Sequence, residues 1–225
     1  MTNRTNAQDS GGDLLPEHLG RSALLLVDMQ NGFCHPNGSV ATRFDVSGYR
    51  AAIPGVRRLV EGARQAAVPV IWSRQEHRED DAGRLRHRIP NHTTKLGYVP
   101  CLAGTWDAEI LDELKPLVEE TDLVISKHRS SCFYETPLHE QLQARSIDVL
   151  IVAGVATNYC VEATIRDAYA RDYDLVVVRD ACGTAWPDLH EATLRNVEIF
   201  HGAVVSSTDV GNLLANRSCP EGERR

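Results

Sequence analysis

The stretch Val149-Leu150-Ile151-Val152-Ala153-Gly154-Val155-Ala156-Thr157-Asn158-Tyr159-Cys160 decides how this chain folds. Its opening run is continuously apolar, which implies a strand covered on both faces rather than one with a wet side. Leu24-Leu25-Leu26-Val27 has the same character. Working outward, the segments Ala23–Asp28, Pro69–Arg74, Asp122–Ser126, Asp148–Gly154, Asp174–Arg179 and Ala203–Ser206 read as strands separated by stretches of helical period. Strands alternating with helices predict an α/β fold. Its expected form is a doubly wound six-stranded parallel sheet with helices on both faces, joined by right-handed crossovers.

Helix starts fall just after strand ends. Thr136-Pro137 reads as an N-cap and first-turn proline ahead of Leu138 and Leu142, and Asp188 with Glu191 reads as a capping box before Leu194 and Val197. The stretch from Gln75 to Thr105 lacks periodicity and is long for a connection, so it is expected to cover a pocket or to meet a partner subunit. Residues 1–20 form an expected disordered N-terminal arm and residues 216–225 a flexible tail, leaving one domain over residues 21–215.

Composition sets the class of partner. With 225 residues and 42% hydrophobic content the chain can fill a sizeable core, which excludes a disordered protein. Asp and Glu outnumber Lys and Arg by 31 to 24, for a formal charge of −7. That balance lacks the electrostatic footprint of a nucleic-acid or anionic-membrane binder, and small-molecule partners become the default. The apolar runs are far shorter than a membrane span, and the polar N-terminus is not signal-like, so a cytoplasmic protein is expected. Six scattered cysteines, Cys34, Cys101, Cys132, Cys160, Cys182 and Cys219, show no C-x-x-C pair and are expected to be mostly reduced.

In an open parallel sheet, ligands bind beyond the carboxyl ends of the strands. Asp28 ends the first predicted strand, Lys127 follows the third, and Cys160 lies six residues past Gly154 at the end of the fourth. With Thr157 as N-cap, Cys160 becomes the N3 residue of the next helix, where unpaired amides favour a thiolate and can hold an oxyanion. A carboxylate beside the thiol can serve as its base, and a lysine beside the carboxylate keeps it ionised. Singly, each residue also has a plain reading: Asp28 bonding a loop backbone, Lys127 as a solvated cation, Cys160 as a small buried side chain. A dinucleotide-binding module is a poor alternative, since Asp28-Met29-Gln30-Asn31-Gly32 stands where a G-x-G-x-x-G would be needed.

Three blocks resemble the signatures of the isochorismatase-like cysteine hydrolases: Val27-Asp28-Met29-Gln30-Asn31-Gly32-Phe33, then Lys127 with Phe133 and Thr136-Pro137-Leu138, and Gly154-Val155-Ala156-Thr157-Asn158-Tyr159-Cys160-Val161. The resemblance spans Ala23 to Ala215 and implies an Asp28, Lys127, Cys160 catalytic triad. It also implies a cis peptide between Val155 and Ala156 that turns the amides of Ala156 and Cys160 toward an oxyanion. The implied activity is cysteine-dependent cleavage of a C–N bond in a small amide, carbamoyl or ureido compound through a thioester, with release of ammonia. The alternatives are isochorismatase-type vinyl-ether hydrolysis and nicotinamidase activity, and a catalytically silent relative is a third. No cofactor is implied, and a homodimer or homotetramer is.

Two departures bear on substrate. Nicotinamidases of this family carry an Asp-x-His metal pair where this chain reads Gln75-Glu76-His77, so a metal-independent enzyme is expected, with His77 in the pocket or at the surface. Retention of Cys160 favours C–N hydrolysis over vinyl-ether cleavage. Gly104-Thr105-Trp106-Asp107, with Phe133 and Tyr134, resembles the ureidoacrylate and biuret hydrolase branch. Candidate substrate-binding residues are Gln30, Phe33, Arg74, Trp106, Tyr134 and Tyr159. The segment Arg74 to Lys95 is locally basic, and a cation there could hold a substrate carboxylate, although a solvated loop is the plainer reading for any one arginine.

Overall fold

The computed structural model describes residues 19–78 and 97–217. Six strands, β1 (Ser22–Val27), β2 (Val70–Gln75), β3 (Leu123–Lys127), β4 (Val149–Val155), β5 (Asp174–Gly183) and β6 (Ala203–Val205), form one sheet in the order β3-β2-β1-β4-β5-β6. Every pairing is parallel. Leu24 of β1 aligns with Val70 on one side and Ile151 on the other. The order reverses direction between β1 and β4, and a crevice opens at that switch point, beyond the carboxyl ends of the strands.

The helices are α1 (Asn31–Cys34), α2 (Ser47–Arg50), α3 (Ile53–Gln65), α4 (Leu138–Ala144), α5 (Glu162–Tyr169), α6 (Pro187–Phe200) and α7 (Ser207–Arg217). Alternation along the strands splits the interior into two layers. Leu24, Leu26, Trp72, Ile151 and Val176 pack with Val56, Leu59 and Val60 of α3 and Val210 and Leu214 of α7. Leu25, Val27, Ile71, Leu150 and Val177 pack on the opposite face with Leu142 of α4, Ile165 of α5, and Leu194 and Val197 of α6. Strands covered on both faces thus explain the unbroken apolar runs.

The predicted strands agree with the observed ones to within about two residues, except that β5 continues past Arg179 to Gly183. Its register with β4 shifts between Val152 and Gly154, so that Gly154 aligns with Cys182 and Val155 with Gly183. The polar pair Arg179-Asp180 sits at this irregularity and looks like a strand end in the sequence. Both predicted caps are corrected. Pro137 occupies the cap position of α4, and the Thr136 hydroxyl accepts from the Leu138 amide at 3.3 Å and donates to the Cys132 carbonyl. Trp186 precedes α6 without a side-chain cap, Asp188 lies in the first turn, and Glu191 pairs with Arg179 at 2.7 Å instead of closing a box.

At the chain ends, Leu19 is buried in the first core layer and α7 runs through Arg217, while residues 1–18 and 218–225 of the expected arm and tail lie outside the described residues. Most of the expected long loop, including Arg84, Arg86, Arg88 and Lys95, also lies outside them.

Gly154 sits at φ +124°, and a Cβ there would come within 2.1 Å of the Val27 carbonyl oxygen. Both the dihedral and the contact require glycine where β4 crosses against β1. Gly154→Ala is expected to destabilise the fold by about 2–3 kcal/mol through forced backbone displacement. Denaturant unfolding would read this as a lower midpoint, and an unchanged midpoint would contradict the account.

Candidate active site

Four strand ends deliver the polar groups. Asp28 follows β1 in the left-handed region at φ +52°, a conformation that Asp tolerates better than most side chains and that turns it off the strand line. Its Oδ1 accepts from the Ser73 hydroxyl at 2.7 Å, and its amide donates back to Ser73 Oγ at 3.2 Å. Ser73 and Gln75 are two residues apart on β2, so they share a face, and both are buried. Lys127 at the end of β3 stands beside Gln75 in the sheet register.

The Lys127 ammonium is enclosed by three oxygens: Asp28 Oδ2 at 2.7 Å, Gln75 Oε1 at 2.9 Å and the Arg129 carbonyl at 3.1 Å. Lysine and aspartate side chains are both at 0% exposure. Burial disfavours the ammonium, but the Asp28 carboxylate together with the Cys160 and Cys132 sulfurs offsets this, and the Lys127 pKa lies above the ordinary lysine value. The two groups are in mutual contact and the ammonium's donors are satisfied, the condition under which buried charge is tolerated.

Beyond β4 the Val155–Ala156 peptide is cis, and Thr157–Val161 form a single π-helical turn that leads into α5. The expected cap at Thr157 is corrected: Ala156 is the extended residue before the turn, and the Thr157 hydroxyl lies 2.9 Å from His190 Nδ1. Cys160 is therefore the fourth residue of a wide turn. Its thiol is pushed well above the ordinary range by burial, drawn down by Lys127, and raised again by Asp28, which lies within hydrogen-bonding reach of it. The expectation of a lowered thiol pKa is overturned, because desolvation outweighs the cation.

A cavity of about 360 Å³ reaches Cys160 and is lined by Phe33, Phe44, Tyr49, Gln75, His77, Tyr159 and Trp186 among others, while Asp28 and Lys127 are not part of its lining. Of the predicted substrate-binding residues, Phe33 and Tyr159 line it. Gln30 does not: its amide donates to the carbonyls of Gln75 and Ala108 and its oxygen accepts from the Gln75 amide, so it braces the backbone under the site. Arg74 is on the opposite face of β2, bound to Glu76 at 2.8 Å and near Glu109. Trp106 donates to Asp112 and packs edge-on against His35. Tyr134 is half exposed and away from the cavity.

Ser73, Gln75, Asn158, Tyr49 and Trp186 were not anticipated. Ser73 and Gln75 carried a legible signal, as polar residues in alternation at the end of an apolar strand. Tyr49 and Trp186 come from segments remote in sequence and carried none. Cys34, Cys101, Cys132 and Cys182 are free and buried, while Cys219 lies outside the described residues. Glu76 turns to Arg74 and the Gln75 oxygen is taken by Lys127, so Gln75-Glu76-His77 do not make a metal donor set.

A thiol, a carboxylate and an ammonium are thus gathered at the switch point of a doubly wound sheet, the place where open α/β sheets of this architecture bind their ligands. The isochorismatase domain model matches residues 22–210. Ureidoacrylate amidohydrolases from Methylobacterium radiotolerans and Methylorubrum extorquens are each 37% identical to this chain, over 80% and 90% of it and 74% and 85% of their own lengths. Among solved structures, a cysteine hydrolase from Pseudomonas syringae pv. phaseolicola superposes with a TM-score of 0.75 at 29% identity, covering 88% of this chain and 93% of that one. N-carbamoylsarcosine amidase from Thermoplasma acidophilum gives 0.69 at 27% identity, over 84% and 97%. The chain belongs to the isochorismatase family, and it is an amidohydrolase acting on a non-peptide C–N bond.

Removing one member of the buried pair leaves the other uncompensated. Lys127→Met is expected to cost about 3–5 kcal/mol, and adding Asp28→Asn should recover much of that loss. Equilibrium unfolding of the single and double variants checks the sign, and a double variant weaker than the single would contradict it. Because burial raises the Cys160 thiol, its thiolate fraction in the free protein grows with pH up to that raised value. Alkylation of Cys160 should therefore keep accelerating past the ordinary thiol value of about 8.5. A plateau at lower pH would show that the cation outweighs burial.

Proposed function

We propose that the protein hydrolyses a small carbamoyl or ureido compound of the ureidoacrylate type, with Cys160 as nucleophile, Asp28 as general base and acid, and Lys127 as the cation that keeps Asp28 charged. The observation that carries this reading is the 2.7 Å Lys127–Asp28 pair with the Cys160 thiol in reach of the same carboxylate. Asp28 takes the thiol proton as Sγ bonds to the substrate carbonyl carbon, and the carbonyl π pair moves to oxygen. The amides of Ala156 and Cys160 receive that oxyanion. The C–N bond then breaks, Asp28 returns the proton to the departing nitrogen, and ammonia leaves. Water, deprotonated by Asp28, attacks the thioester carbon. The C–S bond breaks, the carbamate is released, and the proton returns to Cys160.

Lys127 keeps its proton throughout, since a raised pKa makes it a poor acid. The likeness to ureidoacrylate amidohydrolases at 37% identity over most of both chains supports the ureido class over nicotinamide. The lack of a metal donor set at Gln75-Glu76-His77 points the same way. A homodimer or homotetramer in the cytoplasm belongs to the same proposal, supported by the family resemblance and by five free, buried thiols. Light scattering on the purified protein would contradict that part by returning a monomer mass.

The main test is ammonia release from a panel of ureido acids, biuret, N-carbamoyl amino acids and nicotinamide. The native protein should turn over a ureido or carbamoyl compound. Cys160→Ala should lower kcat by at least about 10⁴-fold, with the unfolding midpoint nearly unchanged. Persistent turnover in that variant, or nicotinamide as the preferred substrate, would refute the assignment.

A further inference from the structure

Gln75 is buried at 2% exposure, lines the cavity, and leaves its Nε2 without a hydrogen-bond partner. An amide nitrogen buried without a protein partner is costly in a folded interior unless a water or a ligand takes it up. The orientation of the group is dictated by chemistry. Its Oε1 lies 2.9 Å from the Lys127 ammonium, which offers donors only, so rotating the amide would set N–H groups against a cation. The backbone beneath is equally fixed, with the Gln75 amide donating to Gln30 Oε1 at 2.8 Å and its carbonyl accepting from Gln30 Nε2 at 2.9 Å. Gln75 thus presents a preoriented donor to the cavity, one contact away from the ammonium that holds the Asp28 base.

We propose that Gln75 is a specificity-determining residue whose Nε2 donates to a second oxygen of the substrate, a few bonds from the carbon that Cys160 attacks. This rests on the cysteine hydrolysis set out above, and it adds a requirement that the trio alone does not impose. A plain amide or monosubstituted urea brings one carbonyl oxygen, which the oxyanion site takes, and leaves Nε2 unpaired. A compound with a second carbonyl or a carboxylate satisfies both. A buried polar group left unpaired by the wrong ligand discriminates more strongly than an apolar wall, which gives the site its selectivity.

Binding to Cys160→Ala protein isolates this role from turnover, with biuret and 3-ureidopropionate as two-acceptor probes and N-ethylurea as the one-acceptor control. Calorimetry should show at least one two-acceptor probe binding about tenfold or more tightly than N-ethylurea. Gln75→Glu keeps an acceptor for Lys127 but removes the donor, and Gln75→Met removes both. In each, the ratio of two-acceptor affinity to N-ethylurea affinity should fall about tenfold. The native protein's preference is read without either variant, so a misfolded variant does not remove the test. Equal binding of all three probes, equal losses for all three in the variants, or no binding of either two-acceptor probe would overturn the proposal. Failure of the cysteine reading has a different signature, namely ammonia release that survives Cys160→Ala.

Discussion

The contact on which the site depends is the ion pair between Lys127 and Asp28, 2.7 Å apart and closed to solvent. Two charges removed from water carry a desolvation cost of several kcal/mol each, which their attraction offsets only when geometry and further hydrogen bonds are good. The surroundings meet that demand. Ser73 binds the second carboxylate oxygen, Gln75 and the Arg129 carbonyl take up the rest of the ammonium, and Gln30 clamps the strand end that carries Gln75. Neutralising any one of these groups unbalances the others, so the chemistry and the local stability share one network.

The same network explains why the sheet order matters. β1 is paired on both sides, with β2 and β4, so the residue after it stands where the crevice opens. Asp28 meets Ser73 across one seam and Cys160 across the other. β3 adds Lys127 through its register with Gln75. Gly154 lets β4 lie close against Val27 before the turn that presents Cys160. Four chain segments separated by dozens of residues are brought together by parallel pairing, with the turn after β4 carrying Cys160.

Much of this was legible in the sequence because it depends on period and polarity. Runs such as Val149–Val152 mark doubly covered strands, and Asp28 and Lys127 interrupt apolar segments where a sheet places ligands. Cavity walls were less legible. Gln30 and Arg74 sit in or beside the motif blocks, yet strand alternation and local hydrogen bonds turn them to bracing and to Glu76. Tyr49 and Trp186 reach the cavity from α2 and from the start of α6, through packing that no local pattern encodes. The helix-start argument for Cys160 failed for a related reason: it weighed the terminal amides and omitted burial, which is set by tertiary structure.

That failure sharpens the chemical question of what singles out Cys160. Burial pushes Cys34 and Cys182 up to about 12 and raises Cys101 and Cys132 as well. Thiol acidity therefore does not set Cys160 apart from its neighbours. Position does. Cys160 combines a place on the cavity wall with a carboxylate in reach of its own proton, and that carboxylate is held in place by an ammonium whose raised pKa keeps its own proton on. In the proposed reaction, a thiol that ionises only as it attacks leaves no standing charge to be stabilised between turnovers, and the developing charge passes to the oxyanion as the proton passes to Asp28. In that proposed reaction the buried pair serves the transition state more than the ground state, which is the arrangement that raises a rate instead of tightening binding.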